Sequence, residues 1–95
     1  DDEYLNKLEE VLKSLGGYDL LLYQAGVDSL EHDKFGSLSL TYQGLAQRDR
    51  LVFEYVKEKG IPMAMALGGG YTDPVDLSVE AYVNTYKELH HCFFA

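Results

Sequence analysis

The stretch Leu20-Leu21-Leu22-Tyr23-Gln24-Ala25-Gly26-Val27-Asp28 decides the fold class of this chain. Its first four residues form a continuous apolar run without polar alternation, which favours a strand covered on both faces, as in a parallel sheet. A second such run, Ile61-Pro62-Met63-Ala64-Met65-Ala66-Leu67, has its proline at the start, where a missing N–H does least harm. The connection between the two runs is long enough for a crossover, so the sequence predicts a pair of parallel strands.

Helical patterns flank both runs. Residues 1–15 are amphipathic, begin with three acids that suit the positive end of a helix dipole, and stop at Gly16-Gly17. A second helix is expected to begin at Thr41 as N-cap and to end at Gly60. Asp73 and Pro74 predict the start of a third helix, with Asp73 capping and Pro74 at the first helical position. The predicted order is α-β-α-β-α.

Two of these helices carry an apolar stripe. The stripe of the second helix comprises Leu45, Leu51, Val52, Tyr55 and Val56. The stripe of the third comprises Val75, Val79, Tyr82, Val83, Tyr86 and Leu89. We interpret the tyrosines among them, Tyr82 and Tyr86 included, as packing residues.

The length of the chain limits it to part of a sheet. Ninety-five residues with 46% hydrophobic content allow at most one small domain with a marginal core. Two strands make half of a doubly wound sheet, and their edges expose unpaired backbone groups. The chain also starts at Asp1 rather than Met. We therefore expect residues 1–95 to be an incomplete domain, cut from a longer chain and completed by the missing sequence or by a second copy.

Composition excludes several classes of partner. The net charge of −8 and a pI near 4.6 argue against nucleic acid, which needs a basic face. The acidic surface either keeps the protein soluble or attracts a basic protein tail. No apolar run approaches the roughly 20 residues that span a bilayer. The single cysteine, Cys92, excludes an internal disulfide, and with no signal-peptide pattern it favours a cytoplasmic protein.

Two reactive side chains follow the predicted strands. Asp28 comes just after the first strand, and Tyr71 follows the second after Gly68-Gly69-Gly70. In parallel α/β sheets ligands bind outside the carboxyl ends of the strands, so neighbouring strands would open both side chains onto one rim. From this pattern alone, Asp28 could equally be a turn or cap residue.

The motifs around these residues resemble the carboxy-terminal part of the zinc-dependent histone deacetylase family. The strings that are similar to the family's segment with the second zinc-binding aspartate are Gly26-Val27-Asp28-Ser29-Leu30, Asp33-Lys34-Phe35-Gly36 and Leu38-Ser39-Leu40-Thr41. Gly68-Gly69-Gly70-Tyr71-Thr72 is similar to its glycine-rich turn with the catalytic tyrosine. The strings Asp1-Asp2-Glu3-Tyr4-Leu5 and Gln47-Arg48-Asp49-Arg50-Leu51-Val52-Phe53 are most similar to class IV members and their bacterial relatives. The resemblance covers roughly residues 1–90, with the motifs in order.

This resemblance implies the arginase/deacetylase fold, a three-layer α-β-α arrangement around a parallel sheet. It implies a zinc enzyme that hydrolyses acyl-lysine or a related acylated amine, with the metal held by two aspartates and a histidine. Asp28 would be one metal ligand and Tyr71 the oxyanion stabiliser, while Gly68, Gly69 and Gly70 would line the substrate channel. The upstream Asp-x-His motif and the proton-shuttling histidine pair are absent from this sequence. We therefore expect the isolated chain to be inactive and not to retain zinc.

Other candidate residues fit less well. His90-His91 follow the tyrosine, whereas the family's histidine pair precedes both motifs, and histidines in a last turn commonly face the negative end of the helix dipole. A zinc triad of Asp28, His32 and Asp33 is conceivable, but that spacing suits an exposed loop. The three glycines lack the Lys-Ser/Thr of a P-loop.

The sequence departs from the family's pattern at two places. Asp73-Pro74-Val75-Asp76 stands where many relatives have an arginine, which leaves contacts at the rim open. Lys34 replaces an arginine that in some relatives serves regulation by partners.

Two alternatives to the deacylase remain: a non-catalytic assembly module that pairs through its exposed sheet edges, and another hydrolase of arginase-like architecture. The phenol after three glycines favours the deacetylase branch.

Overall fold

The computed structural model of the chain describes residues 1–31, 40–72 and 74–94. Five elements follow one another: α1 (Asp2–Ser14), β1 (Leu21–Gln24), α2 (Tyr42–Lys59), β2 (Met63–Ala66) and α3 (Asp76–Phe94). The predicted α-β-α-β-α order is therefore present. Within the described ranges, no helix combines the length and the apolar character that crossing a membrane requires.

The two strands pair in parallel, as the sequence predicts. The register places Leu21 opposite Met63 and Gln24 opposite Ala66. Backbone bonds continue the pairing at both ends, since the Leu21 N–H donates to the Pro62 carbonyl at 2.9 Å and the Ala25 N–H to the Ala66 carbonyl at 2.7 Å. Both strands thus end at the same edge of the sheet, and the turns that carry Asp28 and Tyr71 leave from that edge.

The expectation that both faces of the strands are covered is wrong within the described part of this chain. Along both strands, side chains alternate between half-buried and exposed, and Leu22 is 75% exposed. The half-buried face carries Tyr23, whose ring packs edge-on against Phe53 of α2 with centroids 6.0 Å apart. Helix α2 covers the face that carries Tyr23. The opposite face, which carries Leu22, is exposed to solvent.

The ends of α2 confirm the predicted caps. The Gly44 N–H donates to the Thr41 hydroxyl at 3.0 Å, which satisfies one of the free donors of the first turn. Gly60 ends the helix in the left-handed conformation, with φ of 67°, which a glycine adopts without a side-chain penalty.

The buried face of α2 differs in part from the predicted stripe. Leu51 and Tyr55 are only half-buried. The buried residues are Gly44, Leu45, Arg48, Asp49, Val52, Phe53 and Val56. They recur at helical spacing, so the true stripe includes an arginine and an aspartate.

The third helix begins at Asp76, two residues after Pro74, while Asp73 lies outside the described residues. The Thr72 hydroxyl accepts a hydrogen bond from the Ser78 N–H at 3.0 Å and so caps the first turn from outside the helix. The residues that α3 buries are Ser78, Ala81 and Thr85. Several members of its predicted apolar stripe are instead 47–59% exposed: Val75, Val79, Val83 and Tyr86. The buried residues of α3 are small or carry a hydroxyl, and one of them, Thr85, donates to Asp49 of α2 at 2.6 Å.

The main apolar cluster lies beneath the edge where the strands end. Its buried members are Val27, Leu30, Leu40, Leu45 and Ala81. Leu30 and Leu40 also form a parallel bridge outside the named strands. Tyr4, Tyr42 and Tyr82 pack around this cluster, which therefore supports the turn that carries Asp28.

Candidate functional site

The candidate site is built from two turns that touch each other. After β1, residues 25–27 are buried and Asp28 is exposed. A β-carbon built on Gly26 would lie 2.5 Å from the Gly68 carbonyl oxygen in the turn after β2. No side chain fits into that space. The glycine at position 26 is what allows the two turns to meet.

Asp28 lies directly against the triple-glycine turn. A β-carbon on Gly69 would be 3.0 Å from the Asp28 β-carbon and 3.1 Å from its carboxyl carbon. Gly69 and Gly70 have φ of 75° and 98°, a region that side chains other than glycine rarely adopt. The glycines therefore serve both the conformation of the turn and the close approach of the carboxylate.

Tyr71 follows these glycines and is 49% exposed. Tyr71 and Asp28 both lie near Tyr82 of α3. Burial is the main cause that raises the pKa of the Tyr82 phenol, and the nearby groups Asp28 and Tyr71 raise that pKa further. The structure thus brings the two predicted site residues into one neighbourhood at the edge of the sheet.

Tyr82 is a residue that the sequence interpretation undervalued. Its hydroxyl is shared between the Gly68 carbonyl, at 2.7 Å, and the Gly69 carbonyl, at 2.9 Å. It therefore holds the triple-glycine turn as well as packing against the core. The sequence contained a signal for this role: Tyr82 lies one helical turn after Ser78, next to the face of α3 that carries small and polar side chains.

A second missed feature is a buried polar network between β1, α2 and α3. The Arg48 guanidinium pairs with the Asp49 carboxylate at 2.8 Å, and the two side chains are 5% and 1% exposed. Asp49 also accepts hydrogen bonds from the Tyr23 hydroxyl, at 2.5 Å, and from the Thr85 hydroxyl, at 2.6 Å. The signal in the sequence was the helical spacing of Arg48 and Asp49 from Leu45 and Val52, which places them on the buried face.

Among residues 1–31, 40–72 and 74–94, no three His, Cys, Asp or Glu side chains are grouped so that they could hold a metal ion. The alternative triad with Asp28 includes His32 and Asp33, which lie outside the described residues. Asp28 itself is an exposed carboxylate, a donor that zinc accepts. Among the described residues, Asp28 could therefore supply one zinc ligand, and the other ligands would have to come from other residues.

His90 and His91 are exposed residues near the end of α3. They line a groove with Leu67, Val79, Tyr82, Val83, Tyr86 and Lys87. His90 is about 12 Å along the helix from Tyr82, at 1.5 Å per residue. That His90 and His91 are not the proton-shuttling pair stays a prediction.

These features define a class of protein: a parallel α/β unit whose candidate site combines a carboxylate and a phenol at the carboxyl ends of adjacent strands. Residues 1–86 match the model of the histone deacetylase domain. The chain belongs to the histone deacetylase family, which is a family of hydrolases. The predicted family is confirmed, whereas the likeness to class IV stays a prediction.

Relatives in distant organisms support this assignment. The chain is 41% identical over 73 residues to histone deacetylase 2 of Arabidopsis thaliana, a match that covers 74% of this chain and 19% of that protein. It is 42% identical over 74 residues to an uncharacterised protein of Picosynechococcus sp., covering 75% of this chain and 25% of that protein. Histone deacetylase B of Dictyostelium discoideum is 36% identical over 75 residues, covering 76% and 17% respectively. The chain thus spans a quarter or less of the length of these relatives.

Proposed function

We propose that this chain is the carboxy-terminal segment of a zinc-dependent deacylase that hydrolyses acyl-lysine or a related acylated amine. The observation that carries the proposal is the contact between two turns at the ends of paired parallel strands. One turn bears Asp28, and the other bears Tyr71 after three glycines. In a hydrolase that acts on amides, the two side chains would have complementary roles: the carboxylate would bind the metal, and the phenol would stabilise the oxyanion.

In this proposal Asp28 is a metal ligand. Its carboxylate is exposed at the rim while the backbone before it is buried, so the ligand is presented from a supported turn. A carboxylate suits the role because its charge offsets part of the charge of the ion. Bound zinc would polarise the acyl carbonyl and lower the pKa of water.

Tyr71 is the proposed oxyanion stabiliser. A phenol stays protonated near neutral pH, since its reference pKa is about 10, and can donate a hydrogen bond to oxygen as negative charge develops there. Gly68, Gly69 and Gly70 would form part of the channel wall, where the absence of side chains lets an acyl group approach the backbone. Tyr82 keeps that wall in place through its bonds to two of the carbonyls.

The remaining parts of the site belong, in this proposal, to sequence upstream of residue 1. These parts are the other aspartate, the histidine ligand and the proton-shuttling histidines. Residues 1–95 are then an incomplete domain of a three-layer α-β-α fold, inactive and without tightly held zinc when alone. The open sheet face around Leu22 supports this view, because further elements would be needed to cover it.

The test uses the full-length protein that contains this chain. We expect Asp28→Asn to lower zinc content in native mass spectrometry. Tyr71→Phe should keep zinc and lower turnover on an acyl-lysine peptide by about 100-fold or more, the usual cost of losing one oxyanion donor. Tyr18→Phe is the matched control, since this tyrosine is 58% exposed and precedes β1 at the opposite end of the sheet. Unchanged turnover in Tyr71→Phe would contradict the oxyanion role.

A second candidate function is a non-catalytic assembly module. It is favoured by the open face and the two-stranded sheet, whose edges could pair with a second copy. A full-length protein that binds no zinc, hydrolyses no acyl-lysine peptide and forms dimers through β1 or β2 would support the module over the enzyme.

A further inference from the structure

The buried ion pair of α2 has no evident purpose in packing. Arg48 and Asp49 are 4% and 1% exposed. Removing two charges from water carries a large penalty, and an apolar pair of similar volume is often as stable or more stable. An apolar pair of similar volume could fill the same space but could make none of the hydrogen bonds of this pair.

The contacts of Asp49 hold the arginine in one orientation. The Asp49 Oδ1 atom accepts from Arg48 Nε at 3.0 Å and from Arg48 Nη2 at 2.8 Å. The hydroxyls of Tyr23 and Thr85 bond to the two oxygens of the same carboxylate. The carboxylate is anchored to β1 and α3, and the guanidinium is anchored to the carboxylate.

One donor of the guanidinium points elsewhere. Arg48 Nη1 donates to the Gly26 carbonyl oxygen at 2.6 Å. Gly26 lies two residues before Asp28, in the turn that has no room for a side chain against Gly68. The buried charge therefore reaches the backbone of the turn that presents the candidate metal ligand.

The Gly26–Val27 peptide group has Arg48 at its carbonyl oxygen. Its orientation determines where the next residue, Asp28, directs its carboxylate.

We propose that Arg48 is a positioning residue that sets the Gly26–Asp28 turn, and through it the metal-binding geometry of Asp28. This inference rests on the proposed role of Asp28 as a zinc ligand. The residue must be arginine because its planar fork can satisfy Asp49 with two donors and still offer a third to Gly26. A lysine keeps the charge next to Asp49 but cannot serve both partners in fixed geometry.

The experiment measures zinc affinity in the full-length protein by competition with a chelator, with thermal unfolding alongside. Arg48→Lys is expected to weaken zinc binding by about 10- to 100-fold, the usual range when a group that orients a ligand is lost. Hydrogen exchange at the Val27 and Asp28 amides should become faster in the same variant. Val56→Ala is the matched control, because it removes buried apolar volume from the same face of α2, two turns from Arg48, without removing any bond of the Arg48–Asp49 pair.

The control separates positioning from general stability. Val56→Ala should lower the unfolding temperature yet change zinc affinity by no more than about twofold, because it is distant from the Arg48–Asp49 pair. If Arg48→Lys unfolds earlier but binds zinc as wild type does, or if both variants lose affinity equally, the positioning role is wrong. If Asp28→Asn retains wild-type zinc affinity, the proposed ligand itself is wrong, and that outcome is distinguishable from the first two.

Discussion

At the scale of the residue, Tyr82 shows how one side chain joins packing to the candidate site. Its ring contributes to the cluster beneath the rim, while its hydroxyl bonds to the carbonyls of Gly68 and Gly69. A β-carbon on Gly70 would lie 3.2 Å from the Tyr82 ring. The turn that carries Tyr71 is therefore shaped by α3.

Replacing Tyr82 with phenylalanine keeps the ring and removes the hydroxyl. We expect the free energy of unfolding to fall by about 1 kcal/mol, because two carbonyls lose their donor. Denaturant unfolding measures this loss, and hydrogen exchange at Gly69 and Gly70 should become faster. Tyr86→Phe, one turn further along and 49% exposed, should change neither quantity. Equal effects in both variants would mean that the hydroxyl of Tyr82 does not hold the turn.

Tyr23 predicts a dependence of stability on alkaline pH. Burial raises the pKa of its phenol far above the ordinary value of 10.0; Arg48 opposes the shift, and Asp49 adds to it. The folded protein therefore keeps a proton that the unfolded chain loses. This contribution to stability is complete below about pH 10 and is lost as the pH rises above it.

The measurement compares urea unfolding at about pH 8 and about pH 11. We expect Tyr23→Phe to be less stable at the lower pH, since Asp49 loses a donor, but to lose less stability between the two pH values than wild type. Tyr18→Phe should follow the wild-type profile over this range because Tyr18 is exposed. A pH dependence that Tyr23→Phe leaves unchanged would contradict the assignment.

At the scale of the element, α2 organises the molecule. It covers one face of the sheet through Phe53, meets α3 through the Asp49–Thr85 bond, and reaches the rim through Arg48.

At the surface of α2, Arg50 pairs with Glu88 of α3 at 2.9 Å. The pair has two bonds, and its glutamate side chain is 17% exposed, so solvent screens only part of the attraction. The start of α2 also bonds to the start of α1, because the Asp1 carboxylate accepts from the Thr41 N–H and from the Thr41 hydroxyl.

Thr41→Ala tests the cap of α2. We expect a loss of about 1 kcal/mol in the free energy of unfolding, since the Gly44 N–H loses its acceptor. Thr41→Ser should retain most of the stability because it keeps the hydroxyl. Ser14→Ala, at an exposed site on α1, should stay within about 0.5 kcal/mol of wild type in the same denaturant experiment. If Thr41→Ser loses as much as Thr41→Ala, the hydroxyl is not the source of the effect.

The positions of the helices and strands were easier to predict than which of their faces are buried. The caps Thr41 and Gly60 follow from local chemistry that operates within a few residues, and the sequence shows it directly. The open face of β1 could not be predicted, because an apolar run indicates what could be buried and not what is available to bury it. Leu22 illustrates the difference, since it is apolar, central in its strand and 75% exposed.

At the scale of the whole molecule, two apolar surfaces are uncovered in the described residues. One is the sheet face with Leu22, and the other is the groove between Leu67 and the stripe of α3 that includes Val83. If residues 1–95 are part of a larger domain, as proposed, further sequence covers both surfaces. A second copy is the alternative cover.

This proposal predicts binding of an apolar dye. The 95-residue chain should enhance the fluorescence of anilinonaphthalene sulfonate strongly, and the full-length protein should do so much less. The double variant Leu22→Lys/Val83→Lys should lower the signal of the chain by at least about half, because it charges both surfaces. Val11→Lys, at a 45% exposed site on α1, is the control. Equal dye binding by the chain and the full-length protein would contradict the incomplete domain.

The sequence by itself determined the order of the elements, the parallel strands, the family, and the two side chains at the strand ends. These follow from spacing, caps and motifs, which act over short distances along the chain. Only the tertiary structure decided which groups hold the rim and which faces stay open. Arg48 meets the carbonyl of Gly26, 22 residues away, and Tyr82 meets Gly68, 14 residues away. Such partners come from separate elements, so they exist only once the helices have packed against the turns.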